Sequence, residues 1–357
     1  MEEKLYLVLE NGTVFEGKPF GAAGEAVGEV VFTTSMTGYM ETITDPSYFG
    51  QIVVQTFPLA GNYGVIDEEC ESGNPALKAY IVREWCQEPS NFRSKGNLDT
   101  FLKQKNIIGL WDIDTRALTK ILREYGVMNG MISKTKEVDF DALRQYKIEN
   151  AVKSVSDGVR ATVGEGDKTI VLVDFRARHN AEHALTACGC KVEIVPGHTK
   201  AEEILALSPS GILLSDGPGD PMENAGIIAE IKVLCEKKIP MFGIGLGHQL
   251  LALSQGAKTQ KLKYGHRGAS QPVAHKSGRI YITSQNHGYT ILADTLPKGA
   301  QVSFQNVNDN TVEGVEYEYM PAFSVQFQPV AAAGPQDTSY LFDQFISCVE
   351  EVHKICR

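Results

Sequence analysis

The stretch PMFGIGLGHQ, residues 240–249, sets a short apolar run against a turn with glycine at positions 243, 245 and 247. A run this short, bounded by glycine and with no polar face, reads as a strand buried on both sides. Three more runs of the same kind precede it: TIVLVD at 169–174, KVEIVP at 191–196 and GILLS at 211–215, separated by helix-length segments. That alternation predicts an open parallel sheet with helices on both faces, where ligands bind beyond the carboxyl ends of the strands. Two of the runs end there in glycine-rich turns, Ser215-Asp216-Gly217-Pro218-Gly219-Asp220-Pro221 and Gly243 to Gln249. The second has the form of a nucleophile elbow, in which a strand turns sharply into a helix and presents one position at its apex. Gly243 and Gly247 permit the close approach this requires.

Upstream of these strands the apolar periodicity fades into SVSDGVRATVGEGDK, with Gly158, Gly164 and Gly166. This places a linker at 151–168, between a first domain over 1–150 and a second over 169–357. The first domain reads as strands and turns: Leu5 to Leu9, an Asn11-Gly12 hairpin turn, Thr13 to Phe15, Val30 to Phe32 and Ile52 to Gln55. One helix stands out in it, with Asp114 as cap, Leu118, Ile121, Leu122 and Tyr125 at helical spacing, and Gly126 as stop. The expected fold class is α/β, a β-rich N-terminal domain followed by an open sheet flanked by helices.

The 357 residues suit two domains of about 100–200 residues each. With 43% hydrophobic and 22% charged residues the composition is that of an ordinary globular chain. A formal net charge of -10 repels a phosphate backbone, so nucleic acid is not an expected partner. No apolar run approaches the ~18 residues of a membrane span, and MEEKLYLVLENG lacks the basic start of a signal peptide; no membrane association and a cytoplasmic location are expected. The 7 cysteines form no CxxC pair and have no histidine at ligand spacing, which predicts reduced thiols, no metal site and no cofactor.

Longer segments carry a family resemblance. MFGIGLGHQLLALSQGAKTQKLKYGHRGASQPV (241–273), with SDGPGDP upstream and SQNHGY and VQFQPVAAAGPQDTSYLFD downstream, closely resembles a class I glutamine amidotransferase domain. GEVVFTTSMTGYMETITDPSYFGQIVVQTFPLAGNYG (28–64) and IDTRALTKILREYG (113–126) resemble the small subunit of carbamoyl phosphate synthetase. Such a domain implies a cysteine at the elbow that attacks the glutamine amide, a histidine that carries the proton to the leaving ammonia, and a glutamate that orients the histidine. The resemblance puts these roles at Gly245, Gln328 and Val330. Glycine has no side chain to attack with, a glutamine amide is no base near neutral pH, and valine neither accepts a hydrogen bond nor holds a charge.

The resemblance also implies glutamine-binding positions at Ser47, Gly217, Gly219, Leu246, Gln249, Asn286, Gly288 and Tyr289, with the amides of Gly219 and Leu246 as oxyanion hole. Each of these glycines would equally serve a turn, Gln249 an ordinary helix position and Tyr289 the core, so both readings of the pocket stand. Asp216, where relatives often carry Asn, and Arg176, where they often carry Gly, add charge nearby. Cys235 precedes the elbow strand and His248 points into the helix after it, so neither is expected to substitute for the missing nucleophile.

Three functional readings follow. The first is a small subunit that has lost its glutaminase and serves as partner of the large synthetase subunit, which takes free ammonia. The second is a regulatory paralogue that holds glutamine or caps a partner. The third is the glutamine-hydrolysing subunit that the family by itself implies.

Overall fold

The structure, a computed structural model, describes residues 4–156, 158–176, 179–330 and 333–355. Cys356, counted above among the thiols, lies outside the described residues. The chain divides into two compact units, residues 1–149 and 150–357.

The first unit is built on a closed barrel whose strands run, in spatial order, Leu5–Leu9, Val14–Gly21, Ile108–Trp111, Ala79–Ile81, Gln51–Gln55, Ala26–Thr33 and Met128–Ser133. Closure leaves no edge strand with unpaired backbone groups. The Asn11-Gly12 turn sets the first hairpin: Gly12 has φ 88 and Leu7 faces Phe15 across the pair. The helix Thr115–Tyr125 starts where Asp114 accepts from the Ala117 N–H and stops at Gly126, whose N–H bonds back to the Leu122 carbonyl. Leu118 and Leu122 are buried, whereas Tyr125, beside the Gly126 stop, is 66% exposed.

The second unit holds a ten-stranded sheet. Cys190–Pro196, Lys168–Asp174, Gly211–Leu214, Met241–Ile244 and Ala322–Val325 lie side by side and parallel. Beyond Ala322–Val325 the sheet continues antiparallel through Val312–Tyr317, Ala300–Asn306, Thr259–His275 and Ile280–Ile291. Helices cover both faces of the parallel part. Ile204, Leu234 and Leu250 pack with Val171 and Leu214 on one, and Leu185, Leu341 and Phe345 pack with Ile170, Leu213 and Phe242 on the other. Burial on both faces is why these strands read as unbroken apolar runs.

The stretch 151–168 is more than a linker. It carries the helix Ala151–Val155 and a strand, Ala161–Val163, paired antiparallel with Cys190–Pro196 so that Ala161 faces Ile194. An edge strand buries little side-chain surface, which is why its sequence reads as polar, yet it caps the exposed backbone of its neighbour.

One close approach positions the elbow. Gly247 begins the helix Leu246–Ser254 directly over the strand Gly211–Leu214, where an added Cβ would lie 2.3 Å from the Leu214 carbonyl oxygen. Backbone cannot yield cheaply there. Gly247→Ala should therefore destabilise the full chain by about 2–3 kcal/mol in urea unfolding, while Gly226→Ala, in open space on Ala225–Glu236, should stay within about 0.5 kcal/mol of the parent. Equal midpoints for the two variants would contradict this packing.

Candidate functional site

The elbow strand Met241–Ile244 lies in the middle of the sheet and turns at Gly245, with φ 55 and ψ -112, into the helix Leu246–Ser254. Few residues with a Cβ hold such a conformation without strain. The Gly245 N–H donates to the Val325 carbonyl at 2.9 Å, tying the apex to the next strand. The turn after Gly211–Leu214 comes alongside, held by the Gly247 N–H on the Ser215 carbonyl at 2.9 Å.

Between the two turns, two backbone N–H groups converge on a single oxygen. The Leu246 N–H at 2.9 Å and the Gly217 N–H at 2.8 Å both donate to Asp216 Oδ1. The resemblance pairs the Leu246 amide with that of Gly219; on Asp216 Oδ1 the amide that meets it is that of Gly217. Asp216 Oδ2 accepts from Gln328 Nε2 at 2.5 Å. Asp216 and Gln328 are buried. A Cβ built on Gly245 would lie 2.0 Å from Asp216 Oδ1 and 2.4 Å from its Cγ, so the carboxylate fills the space a side chain at the apex would use. Beside it is a small space of about 10 Å³, lined by Asn180, Ser215, Ile244, Val330 and Phe342 among others. That is room for about one water.

The other expected site residues have more local duties. Gln249 Nε2 donates to the Tyr289 carbonyl at 2.8 Å and to Gln326 Oε1 at 2.7 Å, which fastens the elbow helix to the strand Ile280–Ile291. Asn286, Gly288 and Tyr289 are half-buried on that strand. A Cβ on Gly288 would come 3.3 Å from an Arg267 guanidinium nitrogen, and Asn286 is the cross-strand partner of Arg267. Val330 packs against the core that contains Phe327 and Phe342. Gly219, at φ 90, has Ala151 against it. Arg176 sits at φ 84, its N–H on Asp174 Oδ1. Ser47 belongs to the first unit, in the short helix Pro46–Tyr48, where its N–H donates to Asp45 Oδ1 at 2.9 Å.

Burial opposes ionisation of five of the described thiols. Burial pushes Cys235 up to about 11, and its sulfur faces Met241 and Ser254. Burial likewise pushes Cys70 up to about 11 and raises Cys188, Cys190 and Cys348. A thiol is the weaker nucleophile of the thiol and thiolate pair. His248 is fully buried with Nδ1 on Ser324 Oγ at 2.8 Å, and burial brings it down to about 3, so its ring stays neutral.

The carbamoyl-phosphate synthase small chain domain matches residues 7–132, and glutamine amidotransferase class-I matches residues 171–348. The chain is 48% identical over 348 residues to the carbamoyl phosphate synthase small chain of Clostridium perfringens, covering 96% of this chain and 99% of that one. This chain belongs to the carbamoyl phosphate synthase small chain family. The Streptococcus agalactiae small chain is 46% identical over 354 residues, with 98% of each chain covered. The Bacillus subtilis pyrimidine-specific small chain is 46% identical over 357 residues, covering 98% of this chain and 97% of that one.

The family's second unit also carries a buried charge cluster here that sequence reasoning misses. His266, His287 and Glu313 bring their ligand atoms within 4.8 Å of one another. His266 Nε2 lies 2.9 Å from Asp309 Oδ2, and Nδ1 lies 3.3 Å from Glu313 Oε1, close enough for an ion pair though off line for a hydrogen bond. His287 is fixed by Nδ1 on the Tyr289 carbonyl at 2.8 Å. The donor set and span would suit a cation such as zinc, and His266, between the Asp309 and Glu313 carboxylates, is placed to carry a positive charge of its own. Burial opposes that charge, and the Glu313 and Asp309 carboxylates outweigh it, holding the ring above the ordinary imidazole value. Burial, and then His266 itself, keep His287 well below it. The signal in sequence is slight, because the three residues come from GHRG, SQNHGY and TVEGV and meet only through strand pairing.

A ring whose pKa is raised on folding contributes stability that is complete below its ordinary value of about 6.5 and is lost as pH rises through the folded value. Glu313→Gln should thus cost about 3 kcal/mol near pH 6 and progressively less at higher pH, with the His266 titration moved down. Thermal unfolding from about pH 6 to 8.5, with histidine proton NMR, checks this; a cost that does not vary with pH would contradict it.

Proposed function

We propose that this chain is the partner of a carbamoyl phosphate synthase large subunit and performs no glutamine hydrolysis itself. The observation that carries this reading is the occupied apex. Gly245 offers no nucleophile, and the Asp216 carboxylate lies where an attacking side chain would reach. Gln328 spends its amide N–H on that carboxylate rather than moving protons, and Val330 is packed in the core. With thiol, general base and orienting carboxylate all absent from the positions where the resemblance requires them, acyl transfer loses both its covalent route and its proton carrier. The large subunit would take free ammonia in place of ammonia released from glutamine.

Identity at the level of 48% spread over 96% of the chain supports a retained assembly role, because it includes the barrel as well as the amidotransferase unit. The barrel also shows apolar side chains to solvent. Met36 is 72% exposed, and its loop is tied to that of the exposed Phe57 by the Thr56 N–H on the Thr33 carbonyl and Gln55 Nε2 on the Ser35 carbonyl. Exposed apolar side chains on neighbouring loops suit a protein interface.

Glutamate release by the purified chain, alone and with a large subunit, should fall at least a thousandfold below a turnover of about 10 s⁻¹. Carbamoyl phosphate synthesis by the complex should proceed with ammonium salts and not with glutamine. Met36→Asp with Phe57→Asp should weaken the complex in size-exclusion chromatography. Glutaminase turnover of ordinary size would overturn the reading, and a chain that binds no large subunit at micromolar concentration would favour the regulatory paralogue.

A further inference from the structure

The carboxylate of Asp216 sits in a particular chemical setting: two backbone N–H groups meet on one of its oxygens and a side-chain amide on the other. An ionised carboxylate only accepts hydrogen bonds, so this arrangement of donors is complementary to it. Two converging backbone N–H groups beside a strand-to-helix apex are what a developing acyl oxygen would need. Here the oxygen they hold belongs to the chain itself.

We propose that Asp216 is a built-in occupant of this site, a carboxylate that closes the chain's own amide-binding position and makes it refuse glutamine. The inference rests on the non-hydrolytic reading above and deepens it, since a merely inert site could still bind the amide. A carboxamide oxygen would have to displace Asp216 Oδ1 to reach the N–H groups of Gly217 and Leu246. The occupant also explains why three departures occur together. As Asp216 is now placed, a Cβ at the apex would stand 2.0 Å from its oxygen, and Gln328 donates to its second oxygen. The three residues form one interlocked unit. Putting back a nucleophile, base and carboxylate at 245, 328 and 330 would therefore leave the site blocked while Asp216 stays.

The test is a cycle of variants in the full chain: Gly245→Cys, Asp216→Ala and both together. Gly245→Cys should lower the urea midpoint by roughly 0.5 M in the parent and by no more than half as much beside Asp216→Ala, because backbone strain persists but the collision is gone. Equal drops in the two backgrounds would overturn the proposal. If Asp216→Ala does not fold, Asp216→Ser, which also lacks the colliding oxygens, carries the same comparison. The emptied site should in addition accept a free carboxylate. Sodium formate, against sodium chloride at equal ionic strength, should raise the thermal midpoint of Asp216→Ala saturably and leave the parent unmoved. No difference between variant and parent would also overturn it. Glutamate release by the parent would instead sink the non-hydrolytic reading, whatever the cycle gives.

Discussion

The turn at Gly245 is the constraint on which the second unit's site depends. A strand buried on both faces must become a helix within one residue, and the positive φ at the apex, with Gly247 pressed onto the Leu214 carbonyl, fixes where the next N–H groups point. Leu246 then aims its N–H at the neighbouring turn, where the Gly217 N–H meets it. Backbone donors in that position are never neutral bystanders: buried without a partner they would cost about 1–3 kcal/mol each. Asp216 satisfies both from within the chain. The oxygen that both N–H groups hold belongs to the chain itself.

Asp216 thus serves a structural part at this turn. Several side chains around the apex are held by hydrogen bonds: Gln328 on Asp216, Gln249 on Tyr289 and Gln326, and His248 Nδ1 on Ser324. Satisfied networks of this kind rigidify a core. Stability commonly trades against activity at strained sites, and on the non-hydrolytic reading proposed above the combination of Asp216, Gly245 and Gln328 lies on the stable side of that trade.

Elsewhere in the same sheet a different balance holds. Glu313 is fully buried, and a lone carboxylate there would be expensive. His266, bridged to Asp309 as well, makes it tolerable, and the antiparallel extension of the sheet is what brings the residues together. The same extension supplies Arg267 and Gly288, which pack against each other. Positions that resemblance assigns to ligand binding thus also hold the sheet together.

The sequence by itself determined the layered architecture of the second unit, since continuous apolar runs separated by helix-length segments admit little besides a parallel sheet covered on both sides. It determined the first hairpin and the Thr115–Tyr125 helix, whose caps are local. It also determined which side chains are absent from positions 245, 328 and 330, because absence is legible without coordinates. Barrel closure depends on long-range pairing such as that of Leu5–Leu9 with Met128–Ser133, which no local pattern encodes. The strand Ala161–Val163 was hidden for a related reason: an edge strand gains its identity from the neighbour it pairs with. Only the tertiary structure decided that the amides of Gly217 and Leu246 converge, and that Asp216 is what they hold. Those facts turn on where two loops, about thirty residues apart, place two N–H groups and one carboxylate within hydrogen-bond reach, and distances of that order arise from packing rather than from sequence spacing.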